Sequence, residues 1–254
     1  MNELGPMIWR IFLAILAFGV IAQQALVTWG SLDPSPSFQG WALFIGGLLV
    51  LIESIAALFT SANAAAEQVR LKSAEKVVLA SLKTISDSTG IDLLCLGGSV
   101  FLAKKTGLRQ REFLHRELRY RLSDVPQPSD VEWVKGKGVV GSAWKDKHTV
   151  HKDLSAIADR YGASELNEAS FLRLRADTRG GFTREEFHSI IGKYAEVLAV
   201  LIWNSAQTSV IGVYAIDVPM TAVHEKSGTL LNEHPIHEIA SSCASLLGDV
   251  LQKK

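Results

Sequence analysis

The sequence predicts an α+β domain that follows an N-terminal two-helix membrane hairpin. Two apolar runs, 7–29 and 41–60, precede the polar part of the chain. After Gly90 the apolar residues change from a helical period to strand-like runs, and an amphipathic helix comes last. These observations divide the chain into a hairpin (1–60), a connecting helix (61–89) and a soluble domain (90–254).

The two apolar runs are long enough to cross a bilayer. Each has roughly twenty residues, which at ~1.5 Å per helical residue span the ~30 Å hydrocarbon core. Trp9, Trp29 and Trp41 lie at the run ends, where indole rings favour the headgroup region. A cleaved signal peptide is the alternative for the first run, but a second span follows it. Glu53, inside the second run, is either a pore or coupling group or a protonated or snorkelling carboxylate.

The basic residues near the spans predict the orientation. The turn 31–40 contains Asp33 and no Lys or Arg, whereas Arg70, Lys72 and Lys76 follow the second span. Positive residues stay on the cytoplasmic side of a membrane. We therefore expect a multi-pass protein of the inner (cytoplasmic) membrane, with both termini and the soluble domain in the cytoplasm.

The charge balance argues against a nucleic-acid partner. Lys and Arg number 26 and Asp and Glu number 26. The first sixty residues hold one basic and three acidic residues, so the remainder carries 26 − 1 = 25 basic and 26 − 3 = 23 acidic residues. A nearly neutral domain lacks the basic footprint that nucleic acids require. Cys95 and Cys243 lie in apolar patterns and are expected to be reduced core residues.

The connecting helix carries a heptad signal. Its apolar positions Ala64, Leu71, Val78 and Ile85 recur every seven residues. That spacing predicts the seam of a parallel homodimer, because heptad positions a and d form the contact between paired helices. An amphipathic helix packed on its own domain is the alternative.

The soluble domain has recognisable strands and a closing helix. Tyr194–Trp203 and Ser209–Val218 are β-rich runs separated by a short polar segment, which is typical of a hairpin. Pro235 starts a helix whose apolar residues fall on one face. The glycines between Gly136 and Gly141 match G-x-G-x-x-G, but the helix after them is short and no second parallel strand follows. A dinucleotide-binding fold is therefore excluded.

The middle of the domain resembles a GAF domain. A Gly-rich turn, a short helix with Gly141 and Trp144, a strand near Thr149–Val150 and then Asp153 carry the resemblance. The late hairpin, which includes Ile211–Asp217, resembles the last two strands of that family. The resemblance covers about residues 70–254 and implies a cytosolic sensor module with a central antiparallel sheet and helices on both faces. It also implies that the first and last helices share one face and a ligand pocket lies on the other.

The resemblance leaves the ligand open. The motifs of cyclic-nucleotide GAF domains, the Cys-His pair of bilin attachment and the Cys set of methionine-sulfoxide-reducing GAF domains are absent. No cofactor is therefore identified. No nucleophile–base pair or metal-ligand set is visible in the sequence, so we do not expect an enzyme.

Six residues are the predicted ligand contacts, in a pocket between the sheet and the segment 133–153. Two indoles would stack on a planar ligand, an imidazole and a carboxylate would hydrogen-bond to it, and two guanidinium groups would make the ligand anionic. These residues are, in that order, Trp133, Trp144, His151, Asp153, Arg173 and Arg175. The alternatives are core tryptophans, a helix cap at Asp153 and a solvated arginine stripe.

Two functions fit this layout. No kinase, cyclase, nuclease or DNA-binding segment follows the closing helix in this sequence, so the output is expected to pass through the spans or a partner. The first hypothesis is a membrane-anchored sensor that binds a small ligand or a partner protein and transmits the signal through its helices. The alternative is a membrane-disrupting effector of a bacterial defence system, triggered by a small ligand such as a nucleotide.

Overall fold

The structure is a computed structural model that describes residues 18–19, 21, 23–30, 36–107, 111–162, 164, 166–225 and 230–252. The chain divides into two compact units, Met1–Gln68 and Val69–Lys254. The long helix α1, Pro36–Thr89, contributes residues to both units.

In the first unit, α1 exposes large apolar side chains. Trp41, Phe44, Leu58 and Phe59 are each at least 63% exposed. Within the described residues, one helical stretch, Val50–Thr89, is long and apolar enough to cross a membrane. None of the residues in its most apolar segment is buried. The other predicted span, 7–29, lies mostly outside the described residues. The two-span hairpin therefore stays a prediction.

The second unit is built on a five-stranded antiparallel sheet. The spatial strand order is β2-β1-β5-β4-β3. The strands are β1 (Gly97–Thr106), β2 (Arg111–Arg121), β3 (Val150–Asp153), β4 (Tyr194–Trp203) and β5 (Val210–Pro219). The remaining helices are α2 (Gly138–Asp146), α3 (Ser155–Tyr161), α4 (Glu168–Leu172), α5 (Ala176–Arg179), α6 (Arg184–Ile190) and α7 (His234–Leu251). The predicted α+β class and the β4–β5 hairpin are confirmed.

One face of the sheet is covered by the end of α1 and by α7. Val78, Leu82 and Ile85 of α1 are fully buried in the same apolar cluster as Leu198 and Ile216 of the sheet. Alternate strand residues point to opposite faces, so the even-numbered positions of β4 and β5 meet these helices. The first and last helices thus share a face, as the GAF resemblance implied.

Two of the four heptad positions of α1, Val78 and Ile85, belong to this core. Val78 and Ile85 are 0% exposed because the sheet of the same chain covers them. The seven-residue repeat therefore reflects an amphipathic helix packed on its own domain, and a partner helix has no access to those two positions. The homodimer itself stays a prediction.

A buried carboxylate fixes the segment ahead of α7. Glu196 on β4 is 3% exposed, and its carboxylate accepts hydrogen bonds from the backbone N–H groups of Leu230 (2.6 Å) and Leu231 (2.9 Å). The His151 Nε2 atom lies 3.0 Å from the same carboxylate. A buried charge is tolerated when such donors surround it. These contacts anchor the entry to α7 against β4.

Replacing Val78 by Asp should unfold the second unit, because an uncompensated charge would be buried under the sheet. We expect a loss of about 3–5 kcal/mol in the free energy of unfolding. Val69, on the same helix, is 66% exposed, and Val69→Asp should change the free energy by less than about 0.5 kcal/mol. Denaturant titration followed by tryptophan fluorescence measures both. A Val78→Asp protein that is folded and monomeric, when the unsubstituted protein is a dimer, would restore the dimer-seam interpretation.

Candidate functional site

A cavity of about 350 Å³ lies on the face of the sheet opposite α1 and α7. Its floor includes Ser99 of β1 and Ala215 of β5, which are directly paired, and Val197 of β4. Ala199 also opposes Ala215. The small side chains of Ser99 and Ala215 leave space over the middle of the sheet that larger residues would fill.

Aromatic rings form one wall of the cavity. Trp133 makes edge contacts with Phe101 (ring centroids 5.7 Å apart) and with Phe182 (6.0 Å). Phe187 of α6 and Ile157 of α3 also line the space. An apolar lining with few polar groups is typical of small-molecule pockets.

Two close contacts join the start of α2 to the turn that carries Phe182. The Gly138 N–H donates to the Gly180 carbonyl oxygen at 2.6 Å. The ammonium group of Lys137 lies 2.8 Å from the Glu186 carboxylate at the start of α6. Gly138 has φ +59°, and a Cβ there would lie 2.7 Å from the Phe182 ring. This wall therefore depends on a glycine at position 138.

Charged groups line the edges of the cavity. Arg116 and Asp217 lie near one end, and Asp217 forms an ion pair with the buried Arg121. Burial raises the pKa of Asp217, and Arg121 opposes that shift. Elsewhere in the lining the Lys152 ammonium donates to the Asp177 carbonyl oxygen at 2.7 Å. Burial lowers the pKa of Lys152, so this amine is held in a partly dry environment.

The two predicted tryptophans have different surroundings. Trp133 lines the cavity. Trp144 is 6% exposed and packs inside the apolar cluster beneath α2, with the Lys135 ammonium 4.9 Å from its ring centre. Trp144 therefore acts as a core residue in this structure, which is the alternative that the sequence had left open.

His151 and Asp153 point away from the cavity. On β3, Val150 and Lys152 line the cavity, so the alternating His151 and Asp153 belong to the other face. His151 contacts Glu196. The Asp153 carboxylate accepts a hydrogen bond from the N–H of Ser155, the first residue of α3, at 2.8 Å. The predicted strand is present, and its cavity-lining positions are Val150 and Lys152.

Arg173 and Arg175 lie outside the cavity lining. Both are exposed. The Arg175 side chain is 85% exposed and lies 3.2 Å from the Asp177 carboxylate, as a surface ion pair. Of the six predicted contacts, the structure brings Trp133 to the cavity, and ligand contact by any of the six stays a prediction.

The cavity contains polar residues that the sequence interpretation missed: Arg116, Lys152, Tyr194 and Asp217. Alternate residues of a strand point to the same face, so an inward-facing Val150 on β3 would have indicated that Lys152 also faces the cavity. Arg116 and Asp217 sit on strands whose inward positions are fixed by register, which one sequence does not reveal. Among the described residues no cluster of three or more His, Cys, Asp or Glu could hold a metal ion.

Comparison with known proteins gives distant structural neighbours. No protein-family model matches the chain, and no curated protein matches it. A GAF sensor from Burkholderia vietnamiensis is 15% identical, with 74% of this chain and 91% of that chain covered and a TM-score of 0.33. The GAF domain of a two-component sensor histidine kinase from Bacillus halodurans is 12% identical (67% and 90% covered, TM-score 0.37). fRMsr of Staphylococcus aureus is 13% identical (73% and 95%, TM-score 0.36).

The second unit has a central antiparallel sheet with the first and last helices on one face, which is the arrangement that the sequence resemblance to GAF domains implied. Superpositions with TM-scores this low carry no argument about this chain. They give no information on the ligand of this chain.

Gly138→Ala should destabilise the wall of the cavity. The control is Gly107→Ala, since Gly107 has φ +70° and nothing within 4 Å of an added Cβ. Both substitutions carry the ~1–2 kcal/mol cost of a left-handed conformation. Gly138→Ala should cost about 1–3 kcal/mol more, because the new methyl group overlaps Phe182. If both variants lost the same free energy of unfolding, the Phe182 ring would have moved aside without cost.

Proposed function

We propose that the chain is a membrane-anchored sensor whose GAF-like domain binds a small organic ligand in the cavity beneath α2. The observation that carries the proposal is the cavity itself, with its small-residue floor and aromatic wall. At about 350 Å³ it lies at the lower end of the volumes typical of ligand sites, which suits a molecule of one or two rings. Trp133, Phe101 and Phe182 would contact its planar part.

Strands β1 and β5 contact both the cavity and α1, so a ligand in the cavity could affect the helix through them. Ser99 and Phe101 of β1 line the cavity, and Val100 between them packs in the core with α1. On β5, the Tyr214 hydroxyl donates to Ser81 of α1 at 3.3 Å, next to the cavity-lining Ala215. A ligand that shifts these strands would thus move groups in contact with α1.

The helix could carry that change towards the membrane. From Leu48 to Thr89 the sequence contains no Gly or Pro, so nothing in the chain favours a break or hinge there. The exposed apolar side chains of the first unit support insertion into a bilayer, because such a surface is unfavourable in water. We propose two spans, with the turn around Ser35 outside and the domain in the cytoplasm.

Filling the cavity should abolish binding of a small neutral probe. Ala215→Leu adds a branched side chain to the floor, and we expect the affinity for benzamide to fall by about tenfold or more. Ala156→Leu, at an exposed position of α3 outside the lining, is the matched control. Isothermal titration of the full chain in detergent micelles measures both, and circular dichroism checks the fold. If benzamide does not bind, or binds Ala215→Leu equally well, the cavity is not its site.

The membrane arrangement has its own test. A Ser35→Cys protein in intact cells should react with a membrane-impermeant maleimide, whereas the unsubstituted protein should not, because Cys95 and Cys243 would lie inside the cell. Labelling of Ser35→Cys that appears after permeabilisation alone would reverse the orientation. Recovery of the full chain in the soluble fraction would remove the anchor from the proposal.

A further inference from the structure

A β-bulge brings three arginines to the cavity face of the sheet. Opposite β1, Ser99 pairs with Arg119, Val100 with Leu118 and Phe101 with Arg116, so Glu117 is the extra residue. Without the extra residue, Arg116 would share a face with Leu118 and point towards the helices. Arg121 opposes Gly97 and completes the set on this face.

The three guanidinium groups differ in their partners. Arg121 is paired with Asp217, and Arg119 donates to the carbonyl oxygen of Pro126. Arg116 contacts the face of the Phe101 ring, with its guanidinium carbon 5.2 Å from the centroid. Within the described part of the chain, no ion pair or hydrogen bond to Arg116 is found, and its Nε is buried without a partner.

The surroundings of Arg116 leave excess positive charge at this end of the cavity. Three guanidinium groups lie on this face. Among the described residues, Asp217 supplies the carboxylate in contact with them, through its ion pair with Arg121. Asp130 and Tyr194 also act on Arg116 from a distance, and Asp130 is exposed. Burial lowers the pKa of Arg116, which reflects the cost of keeping a cation in a partly dry site. A half-buried cation with a buried, unpartnered Nε is stabilised by an anionic partner.

We propose that Arg116 is the anion subsite of the cavity and that the ligand is a planar organic acid whose carboxylate pairs with it. The inference rests on the proposed function, since it assumes that the cavity binds a ligand. A carboxylate presents two oxygen atoms that match the planar fork of a guanidinium group. The aromatic wall formed by Phe101, Trp133 and Phe182 holds the ring of the acid.

A monoanion fits better than a phosphate ester. Arg116 is the guanidinium group without a protein partner in the described lining, and Lys152 already donates to the Asp177 carbonyl oxygen. Asp177 and Asp217 also line the space and would repel additional negative charge. A phosphate dianion with three acceptor oxygens would need more donors than this site offers.

Benzoate and benzamide test the assignment, because they have the same shape and differ in charge. Titrated against the full chain in micelles, benzoate should bind about tenfold to a hundredfold more tightly than benzamide, the ratio expected for a charge-assisted hydrogen bond. Arg116→Gln should remove that preference, so that benzoate binds no more tightly than benzamide does to the same variant. Arg116→Lys should keep part of it, because the charge remains but the fork is lost.

The matched control is Arg111→Gln, on the same strand. The Arg111 side chain is 64% exposed and pairs with Glu132, and Arg111 is not among the cavity-lining residues. It should preserve the full preference for benzoate.

Each outcome separates this inference from the proposed function. Benzamide binding that Ala215→Leu abolishes, with no preference for benzoate, keeps the cavity as a ligand site and overturns the carboxylate subsite. A benzoate preference that survives Arg116→Gln also overturns it. Tighter binding of phenyl phosphate than of benzoate assigns the subsite to phosphate esters and contradicts the inference. Failure of both benzamide and benzoate to bind overturns the proposed function and the inference together.

Discussion

The alternation of side-chain size along β1, β4 and β5 is the constraint on which the second unit depends. One face carries large apolar residues, among them Val100, Leu198 and Tyr214, and these are sealed by α1 and α7. The opposite face carries Ser99, Ala199 and Ala215 side by side. The large residues on the first face give a dry core. On the opposite face Phe101, Leu201 and Val213 form a second apolar cluster, and the small Ser99 and Ala215 leave space beside it. The same period of two thus provides stability and a binding cavity.

Sequence patterns predicted the positions of helices and strands more reliably than the directions in which their side chains point. The β4–β5 hairpin, the closing helix and the side of the sheet that holds a cavity followed from periodicity and from the GAF resemblance. On β3 the strand was located, but the neighbouring His151 and Lys152 point in opposite directions. A shift of one position exchanges the two, and a single short strand contains too few residues to fix its orientation.

Two other differences have equally specific causes. The seven-residue repeat of α1 describes an apolar stripe, but a stripe does not reveal whether another chain or the same chain covers it, and Val78 and Ile85 are covered by their own sheet. Arg116 reaches the cavity through the extra residue Glu117, and a bulge is set by pairing with the neighbouring strand. Both facts concern contacts between distant parts of the chain. Local patterns contain little information on such contacts.

The burial of Val78, Leu82 and Ile85 also limits how this domain can be recombined with others. A cassette cut at Gly90, where the strand-like sequence begins, would leave behind one layer of the core. The smallest unit that can be moved between proteins therefore starts at about Val69 and includes the final turns of α1. Any protein that acquires this domain acquires a helix with it, and a neighbour on the N-terminal side is joined through that helix.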